Sequence, residues 1–90
     1  MELTFDAAKR DRTLRERGLD FAGAAKVFAG HHFTRLDDRQ DYGEDRYITV
    51  GLLDGRMVVL VWTSRGAARR IISMRKANER EWQKYRARLD

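Results

Sequence analysis

Apolar residues recur along this chain with two different periods, and the change from one to the other divides it. Phe21, Ala24, Ala25 and Phe28 follow the i, i+3, i+4, i+7 spacing of a helix face. Asp20 ahead of them can accept a free N–H of a first helical turn, and Gly30 behind them ends the stripe. An earlier helix is predicted from Ala7 to about Arg17, capped by Asp6 and closed by a left-handed Gly18. Both helices are expected to lay an apolar stripe on something flat.

The flat element is a sheet. Met1 to Phe5 reads as a short first strand and His32 to Leu36 as another. Tyr47 to Leu53 alternates, with Ile48, Val50 and Leu52 on one face and Tyr47, Thr49 and Gly51 on the other. Asp54-Gly55 predicts a type I′ hairpin turn. Met57 to Trp62 is apolar at every position, so it should be the central strand, covered on both faces. Ala68 to Arg75 should pair next, with Ile71 and Ile72 at its middle. Asn78 and Glu81 have the spacing of a capping box that opens a last helix, on which Trp82, Tyr85 and Leu89 share a face. Both tryptophans are expected in the core. The predicted architecture is β-α-α-β-β-β-β-α, an α+β domain on a mostly antiparallel sheet packed by two N-terminal helices and one C-terminal helix.

Ninety residues make one small domain, here read as residues 1–90, and 42% apolar residues argue against disorder despite 37% charged ones. The absence of cysteine excludes a disulfide scaffold, thiolate metal sites and cysteine nucleophiles. The longest apolar run has a strand's length, and the first residues lack the basic and apolar parts of a signal peptide. A cytoplasmic protein with no membrane partner is expected.

Charge changes the picture most. The formal net charge is +5, and it is concentrated. From Arg65 to Asp90 nine basic residues stand against three acids, a net +6, while residues 1–64 hold ten against eleven. Fifteen of the nineteen basic residues are arginine, whose planar fork grips phosphate at two points. A concentrated basic surface on a small domain is the footprint of a polyanion binder, most often of nucleic acid. Leu36 to Arg46 runs the other way, with Asp37, Asp38, Asp41, Glu44 and Asp45 against Arg39 and Arg46. Its spacing is not that of a calcium loop, so a solvated, mobile acidic loop is expected and no metal or other cofactor.

One ordered set of residues resembles a known family. Phe5-Asp6-Ala7-Ala8-Lys9 opens it, followed by Arg17-Gly18-Leu19-Asp20-Phe21 with Ala24, Ala25, Val27 and Phe28. Glu44 and Arg46 precede Ile48-Thr49-Val50-Gly51, and Val61-Trp62-Thr63-Ser64-Arg65 comes after. The most specific part is Arg70-Ile71-Ile72-Ser73-Met74-Arg75-Lys76-Ala77, with Glu81 and Tyr85 beyond it. Over nearly its whole length the chain resembles the BrnT toxins of type II toxin–antitoxin pairs. The resemblance implies a RelE-like fold and an RNA-cleaving activity that halts translation. It also implies neutralisation by a BrnA-like antitoxin, a ribbon-helix-helix DNA-binding protein, in a hetero-oligomer. The family often has Lys-His-Gly where this chain has Glu16-Arg17-Gly18, and Asn where Thr13 stands.

Metal-free RNA cleavage needs help in deprotonating the 2′-hydroxyl, charge stabilisation at phosphorus, and a proton for the leaving 5′-oxygen. Guanidinium groups suit the second need and cannot serve as bases. The candidate catalytic residues are Arg46, Arg65, Arg75, Lys76 and Tyr85. Two of the three arginines are expected on one sheet face, and Lys76 is the amine best placed to exchange a proton. Arg69, Arg70, Arg80, Lys84 and Arg86 are candidate RNA contacts. Glu81 is explained by capping, Glu44 is a weaker base candidate, and adjacent His31 and His32 would point to opposite sides of an extended segment. Two other readings use the same basic surface: a non-catalytic RNA- or ribosome-binding module, and an interaction protein that only docks an acidic partner.

Overall fold

A computed structural model describes residues 2–89. Strand β1 (Glu2–Phe5) is followed by helix α1 (Ala7–Arg17), a 3₁₀ turn (Phe21–Gly23) and helix α2 (Ala24–Ala29). Then come β2 (His32–Leu36), β3 (Arg46–Leu53), β4 (Arg56–Arg65), β5 (Ala68–Lys76) and helix α3 (Glu79–Leu89). The strands form one sheet in the order β1-β5-β4-β3-β2. β2 to β5 are an antiparallel meander, and β1 joins the edge parallel to β5. The α+β class, the element order and the central place of β4 match the sequence reading. Met1, predicted to begin the first strand, lies outside the described residues.

Local chemistry sets the boundaries. The Asp6 carboxylate accepts the Lys9 N–H at 3.0 Å, and Gly18 (φ 70°) donates to the Leu14 carbonyl, so α1 begins and ends where its caps stand. Asp54 (φ 51°) and Gly55 (φ 81°) both take the positive φ that a type I′ turn requires. Asn78 and Glu81 close a reciprocal capping box at 2.8 and 2.9 Å.

The second helical segment departs from the prediction. It opens as a 3₁₀ turn capped by Asp20, whose carboxylate accepts the Ala22 N–H. With three residues per turn, the inward face becomes Phe21, Ala24 and Val27, and Ala25 is exposed. Helix α1 buries no residue at all. It is tied down by polar contacts instead: Arg10 grips Asp20 at 2.9 and 2.8 Å, and Arg17 donates to the Met74 carbonyl at 2.8 Å. Arg17 therefore braces α1 against β5.

The sheet separates two cores. On one face Val58, Leu60, Trp62, Ile71 and Met74 pack under Leu19, Phe21, Ala24 and Val27. Gly51 admits the close approach of α2, because a Cβ there would lie 2.6 Å from a Val27 methyl. The Trp62 indole is satisfied by the Thr49 hydroxyl at 2.8 Å, which also bonds Thr34. On the other face Ile48, Val50, Met57 and Val59 pack with Leu89 of α3. Trp82 is not in the core: it is 37% exposed. The capping box sets the phase of α3 so that Glu81, Tyr85 and Leu89, four residues apart, turn inward and leave Trp82 at the side.

Candidate phosphate-binding cleft

Strand register decides which arginines meet. Residues paired across a ladder point to the same face, so the α3 side of the sheet carries successive rows. Arg46, Thr63 and Arg70 form one; Arg35, Ile48, Val61 and Ser73 the next; Phe33, Val50, Val59 and Arg75 the third. Rows lie two residues apart along each strand, roughly 6.8 Å. A β-bulge makes this possible. Trp62 pairs with Ile71 but Val61 pairs with Ser73, so Ile72 is the extra residue. Strict alternation would put Ile71, Ser73 and Arg75 on one face. The bulge sends Ile71 into the core under α2 and turns Ser73 and Arg75 toward α3.

There a cleft of about 150 Å³ opens between the sheet and α3. Ile48, Val50, Val59 and Val61 make its aliphatic floor, and Arg35, Arg39, Ser73, Arg75, Glu81 and Tyr85 surround it. Arg75 grips Glu81 with two bonds of 2.7 and 2.9 Å. This fork holds the Glu81 carboxyl down at about 2, with help from the Asn78 N–H and the charge of Arg35. The same contact raises Arg75, while neighbouring Arg39 opposes the rise. Glu81 is thus an anion that orients Arg75 and a poor proton acceptor. A groove lined by Phe33, Thr34, Arg35, Lys84, Tyr85 and Arg88 adjoins the cleft, sharing Arg35 and Tyr85 with it.

Of the candidate catalytic residues, Arg75 and Tyr85 come together in the cleft. Arg46 and Arg65 share its sheet face but sit toward the far end, so all three arginines face α3 where two were expected. Arg65 reaches the Glu44 carboxylate at 3.3 and 3.4 Å, and the Arg46 guanidinium lies 4.3 Å over the Tyr42 ring. Lys76 is separated from Arg75: it pairs with Val58, on the opposite face, and is exposed. Among the RNA-contact candidates, Arg70 shares the row of Arg46. Arg69 points to the α2 side and stacks 3.9 Å over Phe28 and 5.1 Å from Trp62. Arg80, Lys84 and Arg86 are exposed on α3; Arg80 and Lys84 fall in line with Arg88, and Arg86 does not. His32 bonds the Gly30 carbonyl and packs against Phe28, away from the cleft.

Arg35, Arg39 and Ser73 escaped the sequence reading. Alternation of Phe33 and Arg35 in β2 was a usable signal for the first. The bulge hid the third. The charge pattern of residues 36–46 casts Arg39 as a counter-charge in a solvated loop, and that loop is built otherwise. The Asp37 side chain is fully buried and bonds the Arg39 guanidinium twice at 2.7 Å and the Tyr42 hydroxyl at 3.1 Å. Among the described residues no three acidic or histidine side chains gather as a metal site. No helix of the described residues is long and apolar enough to cross a membrane.

Fold and site together define a small α+β domain with a guanidinium-lined cleft between its sheet and its last helix. The sequence pattern of the ribonuclease toxin BrnT, of type II toxin–antitoxin systems, matches residues 5–81. The chain belongs to that family of ribonuclease toxins, a membership that implies an RNA substrate and an antitoxin partner. No curated protein matches the sequence.

Proposed function

We propose that the cleft cleaves RNA by metal-independent transesterification, and that this inhibits translation and growth. The observation that carries the reading is the convergence of Arg35, Arg39 and Arg75 with Tyr85 over an aliphatic floor. The 2′-oxygen attacks phosphorus, the bond to the 5′-oxygen breaks, and a 2′,3′-cyclic phosphate forms. Arg75 and Arg35 stabilise the charge that develops on the phosphoryl oxygens, above the floor of valine and isoleucine. Tyr85 protonates the leaving oxygen, and the 2′-hydroxyl proton passes to water. Arg70, Arg80 and Lys84 guide the strand. A fold of the RelE type accords with the element order. A BrnA-like antitoxin of the ribbon-helix-helix class, joining the toxin in a cytoplasmic hetero-oligomer, would silence it by covering the cleft.

Induced expression tests the reading. Growth should stop with the native chain and continue with Arg75→Ala or Arg35→Ala made at equal level. Unimpaired growth with the native chain would favour a non-catalytic RNA-binding or partner-docking role.

A further inference from the structure

The buried Asp37 poses a question that loop structure does not answer. A carboxylate that only stapled the turn between β2 and β3 would be met by backbone N–H groups. Here one backbone bond is made, from the Arg39 N–H at 3.3 Å, and both oxygens are given over to the Arg39 fork and the Tyr42 phenol. The Asp37 N–H also donates to the Arg46 carbonyl at 2.7 Å, which closes the loop's two ends on each other. Arg39 uses its Nε–H and one Nη2–H on Asp37 and keeps its other donors for the cleft that it lines. Tyr42, fixed through its hydroxyl, lays its ring under the Arg46 guanidinium. The Nε of Arg46 is buried and meets no acceptor among the described residues. A buried donor without a partner is uncommon, and it asks for one. One carboxylate therefore places two guanidinium groups: Arg39 directly, as its ion-pair partner, and Arg46 through the Tyr42 ring.

We propose that Asp37 and Tyr42 build a second phosphodiester subsite, with Arg39 and Arg46 as its donors, for a phosphate further along the strand than the one held at Arg75. The inference rests on the RNA-cleaving reading of the cleft and adds a contact which that reading does not need. Arg46 stands two strand rows from Arg75, and its guanidinium is held over Tyr42 rather than drawn toward Glu81. Asp37 is a positioning residue: it touches no substrate and acts through Arg39. Ionisation suits the task, because the Arg39 fork, aided by Tyr42, keeps the Asp37 carboxyl well below the usual carboxylate range.

The test is binding of a 2′-O-methyl RNA oligonucleotide, which cannot be cleaved, across a series of salt concentrations. Arg46→Ala leaves Asp37 fully paired and puts the fold at little risk. It should lower affinity and reduce the slope of log K against log salt by roughly 0.7, the value for one phosphate contact on a single strand. Asp37→Asn should lower the slope as Arg39→Ala does, and the double variant should lose little more than either. Without RNA, the Arg39 Nε–H resonance should be protected from exchange in the native chain and lose that protection in Asp37→Asn, while the backbone amide spectrum is retained. An unchanged slope in Arg46→Ala and Arg39→Ala, with a reduced one in Arg75→Ala, would overturn the second subsite and leave the cleavage reading standing. A native chain that neither binds nor cleaves RNA would overturn both.

Discussion

Arg75→Ala separates chemistry from stability more cleanly than any other single change. The side chain is 47% exposed; its ion-pair partner is Glu81, itself held by the capping box, and beyond that it makes only a long 3.4 Å bond to the Lys76 carbonyl. A half-exposed ion pair of this kind stabilises by about 0.2–1 kcal/mol. For a domain of this size 1 kcal/mol moves the melting temperature by roughly 4–8 °C, so the variant should melt a few degrees low at most. Removing a donor aimed at transition-state charge costs about 2.7–4 kcal/mol, a hundredfold or more in rate. Glu81, released from its fork, adds an unscreened negative charge to the cleft and works in the same direction. Cleavage of a defined RNA at saturating concentration, beside a thermal melt, reads both quantities. Lys76→Ala is the internal control, since Lys76 lies on the opposite face of the sheet, and it should cleave at the parental rate. If Arg75→Ala melts normally and cleaves like the native chain, the cleft between β5 and α3 is not the active site.

Three further outcomes follow from the geometry. The Glu81 carboxyl lies at about 2 against an ordinary 4.5, so its contribution to stability is complete above about pH 4.5 and is lost as pH falls toward 2. Melting temperatures should drop over that window, less steeply in Glu81→Gln; parallel curves would show that the pair does not form. Gly51→Ala places a methyl 2.6 Å from Val27 and should destabilise by about 1–3 kcal/mol in denaturant titration, whereas a neutral result would mean that α2 stands off from β3. Arg80→Ala with Lys84→Ala should flatten the salt dependence of RNA binding more than Arg86→Ala, because the first two share a helix edge with Arg88; equal effects would refute that RNA path.

The fold was legible where local chemistry decides it. Asp6 with Gly18, Asp54-Gly55 and Asn78 with Glu81 mark boundaries through bonds made within a few residues, and the alternation of β3 assigns its faces. What depends on distant partners was not legible. Ala25 and Val27 exchanged places because a 3₁₀ turn, fitted beside Leu53, changed the period of the second helix. The extra residue Ile72 decides the face of Arg75, and only the paired strand reveals it. Arg75 and Tyr85 were within reach of sequence reasoning as a strand end and a helix face. Arg35 was within reach through the alternation of β2, but Arg39 was not: the acidity of residues 37–45 suggested a solvated loop, whereas one of its carboxylates is buried and holds that arginine in the cleft. Register distributes the arginine-rich segment over both faces of the sheet: Arg70 and Arg75 face α3 while Arg69 packs against Phe28 on the other side.

In the proposed reaction guanidinium groups, and no metal ion, carry the developing charge. Incubating the purified protein with a defined RNA in EDTA, followed by end-group analysis of the fragments, tests it most directly. Cleavage should persist in chelator and leave a 2′,3′-cyclic phosphate facing a 5′-hydroxyl, and it should vanish with Arg75→Ala. Cleavage that stops in EDTA and returns only with added magnesium or manganese would contradict the account.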